Sequence, residues 1–558
     1  MKTLLKYASA AALVLCLLPT AVRAQYYDQG TAPASIKWNY VETPYNKIIF
    51  PEDYLPQAAR VMHYLDTVRI AVGHGYRVGT MRTPVVIQTH NYNSNGLVMR
   101  APTRMELIVT PPSHMSPEPW LKQLVTHEAR HTVQYNLMNR HFIKFVSYLL
   151  GDQGSLLGVA LFPLWAMEGD AVLAETELST FGRGWQPSFT IEYRAMLDQQ
   201  RWQRFAVDKW FCGSYRDMMP DHYQWGYQVT SYTWTKYNEN VWDRVGDYAS
   251  RYPFLIFTTK IAMHKYYGTS VNRLSRETLD DLHDYWTSLP ARANSTTIVP
   301  TPITSYTTYS NPAAMGSTLV ALKKDLDRPE RIVSVDLTTG REKVLMNTGF
   351  VNSPLVVEGR EAVWSELRRS KFYEQKVNSV IRRANLETGK RGTVRGERQA
   401  LFPTLLYGDK IVYVRYEYDG SYTLRVVGEE EPAWHFPLPV SIHGVAADSK
   451  TQSVYLIAVN EGGMSIIKWV DNGGKPYIRN LKPASYATLS NLKAHAGKLY
   501  FTSTQSGRDE GHMIDLETGI ETRHTESRYG SFSPSPLDYG NSEAKPSSLI
   551  VTTYTHDG

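Results

Sequence analysis

At 558 residues the chain is too long for one ordinary hydrophobic core and is expected to divide into two or three domains. With 42% hydrophobic and 20% charged residues it has the composition of a folded globular protein, which excludes a disordered or fibrous chain. The formal charge of +6 is spread along the whole length; without a basic block, nothing in it argues for nucleic acid or an anionic membrane as partner.

Residues 1–24 read as a secretory signal peptide. Lys2 and Lys6 begin it, an apolar run from Ala8 to Leu18 follows, and Val22-Arg23-Ala24 offers a small-residue cleavage site before Gln25. The run is too short for a comfortable membrane span, so no transmembrane span is expected after cleavage. Cys16 leaves with the leader and Cys212 remains alone, so the mature chain forms no intrachain disulfide. An exported chain without disulfides suits a bacterial periplasmic, outer-membrane-associated or extracellular setting.

Residues 25–295 alternate strand-like and helix-like stretches and predict an α+β domain, strands first. "TPVVIQTH" and "RMELIVTPP" are rich in β-branched and apolar residues and end at turn formers, which predicts strands. From Trp120 to Phe142 the apolar spacing becomes helical, after a start signal at Pro117 and Pro119. This helix carries "HEARH". His127 and His131 lie four apart on one face and can aim two imidazoles at one ion, while Glu128 can reach a water bound to it. A catalytic zinc needs a third protein ligand and an open position. Thirty-six residues separate His131 from Glu168, which opens "EGDAVLAE", a run that ends in Glu175.

Between the two helices lies the apolar stretch "HFIKFVSYLLGDQGSLLGVALFPLWA", residues 141–166. Gly151-Asp152-Gln153-Gly154 cuts it into pieces too short to span a bilayer. It is read as packed helices of the core, with an apolar pocket or a membrane-facing hairpin as the alternatives. "RDMMPDHYQWGYQVTSYTWTKYNE" and "ETLDDLHDYWTSL" are read mostly as helix.

In His127, His131 and the downstream Trp165-x-x-Glu168-Gly169-x-Ala171-x-x-x-Glu175, the sequence resembles the gluzincins, HExxH zinc metallopeptidases whose third ligand is a glutamate on the next helix. The resemblance covers roughly residues 95–240 at motif level. It implies Zn2+ held by His127, His131 and Glu168, Glu128 as general base, and Glu175 as a supporting residue behind the ligands. In aminopeptidase-type gluzincins a Tyr-x-x-Gly tyrosine donates to the oxyanion; Tyr223, three residues before Gly226, is the candidate, and His222 its competitor, since other gluzincins use histidine. The exopeptidase Gly-x-Met-x-Asn pattern is absent between "NSNGLVMRAP" and His127, so aminopeptidase specificity is not implied. Asn95, Gly96 and the strand that follows are a candidate edge for pairing with substrate. The implied partner is a peptide or protein substrate.

Residues 291–316 are dense in Ser, Thr, Pro and Asn, and a linker is expected over 296–316. Beyond it the chain repeats. "VSVDLTTGREKVL", "RRANLETGKRGTV" and "HMIDLETGIETRH" share Asp/Asn-Leu-x-Thr-Gly. Strand-like elements marked by Leu319, Ala362, Ile411, Val454, Leu499 and Leu549 recur at intervals of 43, 49, 43, 45 and 50 residues. A period of this length, built of short strands with Gly turns, predicts an all-β propeller over 317–558, similar to TolB-like repeats of bacterial envelope proteins. "YTHDG" at 554–558 parallels "YEYDG" at 416–420, which continues into a further strand, so the last blade is expected to be incomplete. Such a propeller suits selection of peptides or docking to an envelope protein or glycan. The rival expectation is a non-catalytic envelope scaffold whose metal site is structural or vestigial.

Overall fold

The computed structural model describes residues 31–290 and 305–558, apart from Ser113, Gln200, 407–409, 449–450, Asn472 and 538–548. The expected signal peptide and residues 296–304 of the expected linker lie outside the described residues.

The first half opens with a five-stranded mixed sheet of β1 (Trp38–Glu42), β2 (Lys47–Pro51), β3 (Pro84–Gln88), β4 (Asn95–Arg100) and β5 (Thr103–Ile108), in the order β1-β2-β3-β5-β4. The two segments read as strands in "TPVVIQTH" and "RMELIVTPP" are β3 and β5, parallel neighbours at its centre. β4 pairs antiparallel with β5 and forms an edge. Ile48, Val85, Ile87 and Leu107 are fully buried between this sheet and two helices, α1 (Leu55–Val68) and α2 (Trp120–Met138). Each such side chain contributes on the order of 1.5–3 kcal/mol relative to exposure, so this core fixes α2 against the sheet.

α2 ends at Met138 rather than Phe142, because Arg140 is extended and His141 takes a positive φ of 46°. The chain resumes as α3 (His141–Leu150), α4 (Asp152–Ala160) and α5 (Leu164–Leu178). The remaining helices are α6 (Pro187–Asp198), α7 (Val207–Cys212), α8 (His222–Tyr237), α9 (Val241–Arg251), α10 (Thr258–Tyr267) and α11 (Val271–Ser288). Their core is aromatic: Trp165, Trp210, Trp225 and Trp242 are all buried, with the Trp210 and Trp225 rings stacked at 5.4 Å.

The reading of 141–166 as packed core helices is corrected for α3. Only Ile143 of that helix is buried, because no element among the described residues covers its outer face, whereas α5 is enclosed between α2 and α8. Among the described residues no single helix is long and apolar enough to cross a membrane; α4 and α5 pass that test only jointly and are bent by 90°.

The second half is a β-propeller of five blades, four of them four-stranded and the second with its first strand split into two short pieces, followed by a two-stranded sheet, Ser531–Pro536 with Leu549–Thr553. Leu319, Ala362, Ile411, Val454, Leu499 and Leu549 all fall on the second strand of their sheets. The Asp/Asn-Leu-x-Thr-Gly turns join the third and fourth strands of blades one, two and five. In each, the Asx side chain accepts from two backbone N–H groups, and the glycine at φ +68°, +71° or +73° closes the hairpin in a conformation that disfavours other residues. The two-stranded sheet packs between the fifth blade and the first, where the Thr307 N–H donates to the Asp557 carbonyl at 2.8 Å.

The expected linker is corrected at its C-terminal end. Thr307–Met315 is the first strand of blade one, so the propeller starts before residue 317. Polar "TTYSNPAAM" does not read as a strand, yet a bulge between Ser310 and Ala313, with Asn311 at φ +51°, accommodates Pro312 without a lost ladder bond.

The halves share buried surface. Tyr92 enters the hydrophobic cluster of the third and fourth blades, and its hydroxyl donates to the Tyr416 carbonyl at 2.9 Å. On the other side Ile191 and Ala195 of α6 pack on Tyr529.

Candidate metal centre

Two motif glycines set the geometry of the site. A Cβ on Gly169 of α5 would lie 1.9 Å from the Gly226 carbonyl carbon of α8, and a Cβ on Gly226 would lie 1.7 Å from the Trp165 carbonyl oxygen. The two helices therefore meet backbone to backbone, and only glycine at both positions permits it. This contact brings Glu168, the residue before Gly169, beside Tyr223, one turn before Gly226. α8 starts there because the Asp221 carboxylate accepts from the Tyr223 and Gln224 N–H groups; the expected helix from Arg216 is shortened to this cap.

α5 is also locked to α2. Arg130, inside HEARH, makes a two-pronged contact with Asp170, inside EGDA, with both N–O distances at 2.8 Å. Asp170 is fully buried and further accepts from Tyr76 Oη at 2.9 Å and Gln134 Nε2 at 2.7 Å. A charge so placed is tolerable only with its partners satisfied.

With the helices clamped, His127 Nε2, His131 Nε2 and one Glu168 carboxylate oxygen form a triangle whose three sides are each 3.3 Å. Two ligands each about 2.05 Å from a tetrahedral ion stand about 3.3 Å apart, so the donors already have the spacing of a zinc site. Among the described residues this is the one cluster of three or more His, Cys, Asp or Glu donors close enough to share an ion.

The far side of each imidazole is also engaged. His127 Nδ1 lies 3.0 Å from the Glu175 carboxylate and 2.9 Å from Arg183 Nη2, and His131 Nδ1 lies 2.8 Å from Gln134 Oε1. Gln134 is oriented in turn by donating to the Met167 carbonyl and to Asp170. The tautomer with both Nδ1 atoms protonated is the one that turns both Nε2 atoms to the triangle as ligands, as a metal requires. Glu175 takes the supporting position expected for it. Burial alone would raise its carboxyl, but the Arg183 guanidinium and His127 hold it well below the usual carboxylate range. Glu168 is likewise held low by His131 and His127 against the effect of burial. Its charge outweighs burial at His131, which is pushed up to about 9.

Glu128 is not one of the three donors but interacts electrostatically with all of them. It is buried, burial raises its carboxyl above the usual range, and its Oε2 has no hydrogen-bond partner. A buried, unsatisfied carboxylate oxygen next to a donor triangle fits a site built for a water molecule. Edge strand β4 passes directly against it: a Cβ on Gly96 would lie 2.4 Å from Glu128 Oε1. Any larger residue would displace the carboxylate.

Tyr223 lies over the cluster, its ring 6.1 Å from that of His127 and 5.3 Å from the Arg183 guanidinium. Burial and the Glu168 charge push its phenol up, so it stays a proton donor. The His222 ring lies 4.6 Å from that of Tyr223, tilted by 41°, and among the described residues no contact joins it to the triangle. Sequence reasoning missed Arg183, Gln134 and the Arg130–Asp170 pair. Only the last had a legible signal, opposite charges inside two motifs whose helices must face each other.

No protein-family model matches the sequence, and no curated protein matches it. Among solved structures the chain is similar to a puromycin-hydrolyzing peptidase of Mycobacterium tuberculosis, at 15% identity and a TM-score of 0.32, over 41% of this chain and 39% of that one. It is also similar to TolB from Acinetobacter baumannii, at 12% and 0.32 over 41% and 57%, and to the tricorn protease, at 15% and 0.30 over 41% and 23%. The chain thus spans less than two thirds of each of these proteins. Likeness this faint carries no argument about function, and the propeller rests on its own blades.

Proposed function

We propose that the protein is an exported, gluzincin-like zinc metallopeptidase of the bacterial envelope or its surroundings, hydrolysing peptide bonds. The observation that carries this reading is the 3.3 Å triangle of His127, His131 and Glu168, with both Nδ1 atoms engaged on the far side. A zinc ion held by these three residues acts as a Lewis acid, lowering the pKa of water and polarising a carbonyl. Glu128 takes a proton from the attacking water and delivers it to the leaving amine; its raised carboxyl pKa brings proton affinity closer to neutral pH. Tyr223 donates to the developing oxyanion. β4 offers an open edge on which an extended peptide adds a strand, and Gly96 lets that strand lie against Glu128. The propeller packs against this domain and is suited to select peptides or to hold an envelope protein or glycan. Residues 1–24 are what support export.

The test is Glu128→Gln against a mixed peptide library. Zinc should remain at one per chain while cleavage falls by about 10²–10⁴. His131→Ala should lose the metal. Retained cleavage by Glu128→Gln would remove the general base and with it the peptidase reading; zinc binding without Glu128-dependent cleavage would favour a scaffold with a structural ion.

A further inference from the structure

On α3 and on the turn between α9 and α10, the fold gathers an apolar face from two separate segments. On α3, Phe142, Phe145 and Leu149 recur at helical spacing on the outer side, with Phe145 and Leu149 exposed to 56% and 68%. The 253–257 turn between α9 and α10 adds Phe254, Ile256 and Phe257, the last two exposed to 71% and 70%. The segments touch, the Phe142 and Phe254 rings meeting edge to face at 6.1 Å. Ile256 is held at φ +53°, a region that β-branched residues strongly avoid, and this turn is what carries the side chains outward. A folded chain rarely gathers so many large apolar side chains in solvent, and spends backbone strain to do so, without something to cover them.

Charge says what covers them. Residues 140–151 and 251–268 contain Arg140, Lys144, Arg251, Lys260 and Lys265 and no Asp or Glu. Asp247, an acid in contact with both segments, is buried and bridges Arg77, Arg140, His141 and Arg251. Asp152 at the start of α4 accepts from the Thr103 N–H and hydroxyl. Lys144, Lys260 and Lys265 are exposed on the same two segments. The basic residues are dispersed along the sequence, and only the fold assembles them. We propose that this face docks on an anionic lipid bilayer surface. α3 lies in the interface plane, Phe254, Ile256 and Phe257 enter the headgroup region, and the three lysines meet lipid phosphates. α3 is ten residues long, far short of a span, so the attachment is peripheral. This inference does not rest on the metal reading.

The test is sedimentation of the exported form, beginning at Gln25, with vesicles of phosphatidylcholine plus phosphatidylglycerol and with vesicles of phosphatidylcholine alone. The protein should pellet with the first and at least about tenfold less with the second. The double variant F145S/F257S should lose at least about tenfold in partitioning. Both side chains are exposed, so its thermal midpoint should stay within a degree or so of the parent's. K144E/K260E/K265E should abolish the preference for anionic vesicles. No pelleting, pelleting unaffected by both variants, or a dimer in light scattering that F145S/F257S dissolves would each overturn the proposal, the last by making the face a contact between two copies of the chain.

Discussion

Gly226→Ala probes the contact on which the site is built. The added Cβ would lie 1.7 Å from the Trp165 carbonyl oxygen and 2.9 Å from the Gly169 Cα. A carbon–oxygen contact needs about 3.3 Å, so α5 and α8 must separate by about 1.6 Å or distort locally. Overpacking of this kind costs about 1–3 kcal/mol, which for a domain of this size corresponds to a fall of roughly 3–10 °C in thermal midpoint. The same movement carries Glu168 and Tyr223 apart. Zinc affinity, measured by competition with a chromogenic chelator, should drop by about 10–100-fold, and peptide cleavage by at least about 10²-fold. Gly79→Ala is the control: nothing lies within 4 Å of its Cβ position, and it should change none of the three readouts. A Gly226→Ala protein with parental stability and parental zinc affinity would refute the reasoning that the two glycines place the ligands.

Glu175→Gln keeps the shape behind His127 but removes the charge that fixes its tautomer, and should weaken zinc binding by about 10–100-fold while Glu128 remains in place. Asp170→Ala strands Arg130 in the core and should destabilise the domain by about 3–5 kcal/mol, read from denaturant unfolding. Glu192 tests pH linkage away from the metal: burial pushes its carboxyl up to about 7. Because the folded pKa lies above the unfolded one, the neutral form is the stabilised one, and its contribution falls as pH rises from about 4.5 through about 7. Glu192→Gln should therefore raise the thermal midpoint more at pH 8 than at pH 5 relative to the parent; an equal shift at both would exclude a buried neutral acid there.

What could be read from the sequence is where local chemistry and global packing ask for the same residues. Leu319 through Leu549 mark equivalent strands because the second strand of every blade must be apolar, and Gly340, Gly389 and Gly519 recur because the hairpin after each Asx residue needs a positive φ. HEARH and EGDA pointed to the donor triangle because helical spacing alone puts the two imidazoles together. Three features escaped for a common reason: they depend on distant neighbours. The bulge residues Asn311, Phe402, Asn491 and Ser533 hold one structural role with four φ values between +51° and +55°, yet share no side-chain pattern. Arg183 reaches Glu175 only through the turn before α6. α3 has the composition of a core helix, and nothing along the sequence could say that its outer face is left open.

The most direct test is anomalous diffraction at the zinc edge from crystals of the protein loaded with one equivalent of zinc. A single strong peak is expected about 2.0–2.2 Å from His127 Nε2, His131 Nε2 and a Glu168 carboxylate oxygen, with Glu128 free of the ion. Zinc bound elsewhere, or a peak held by the two histidines while Glu168 turns away, would contradict that placement.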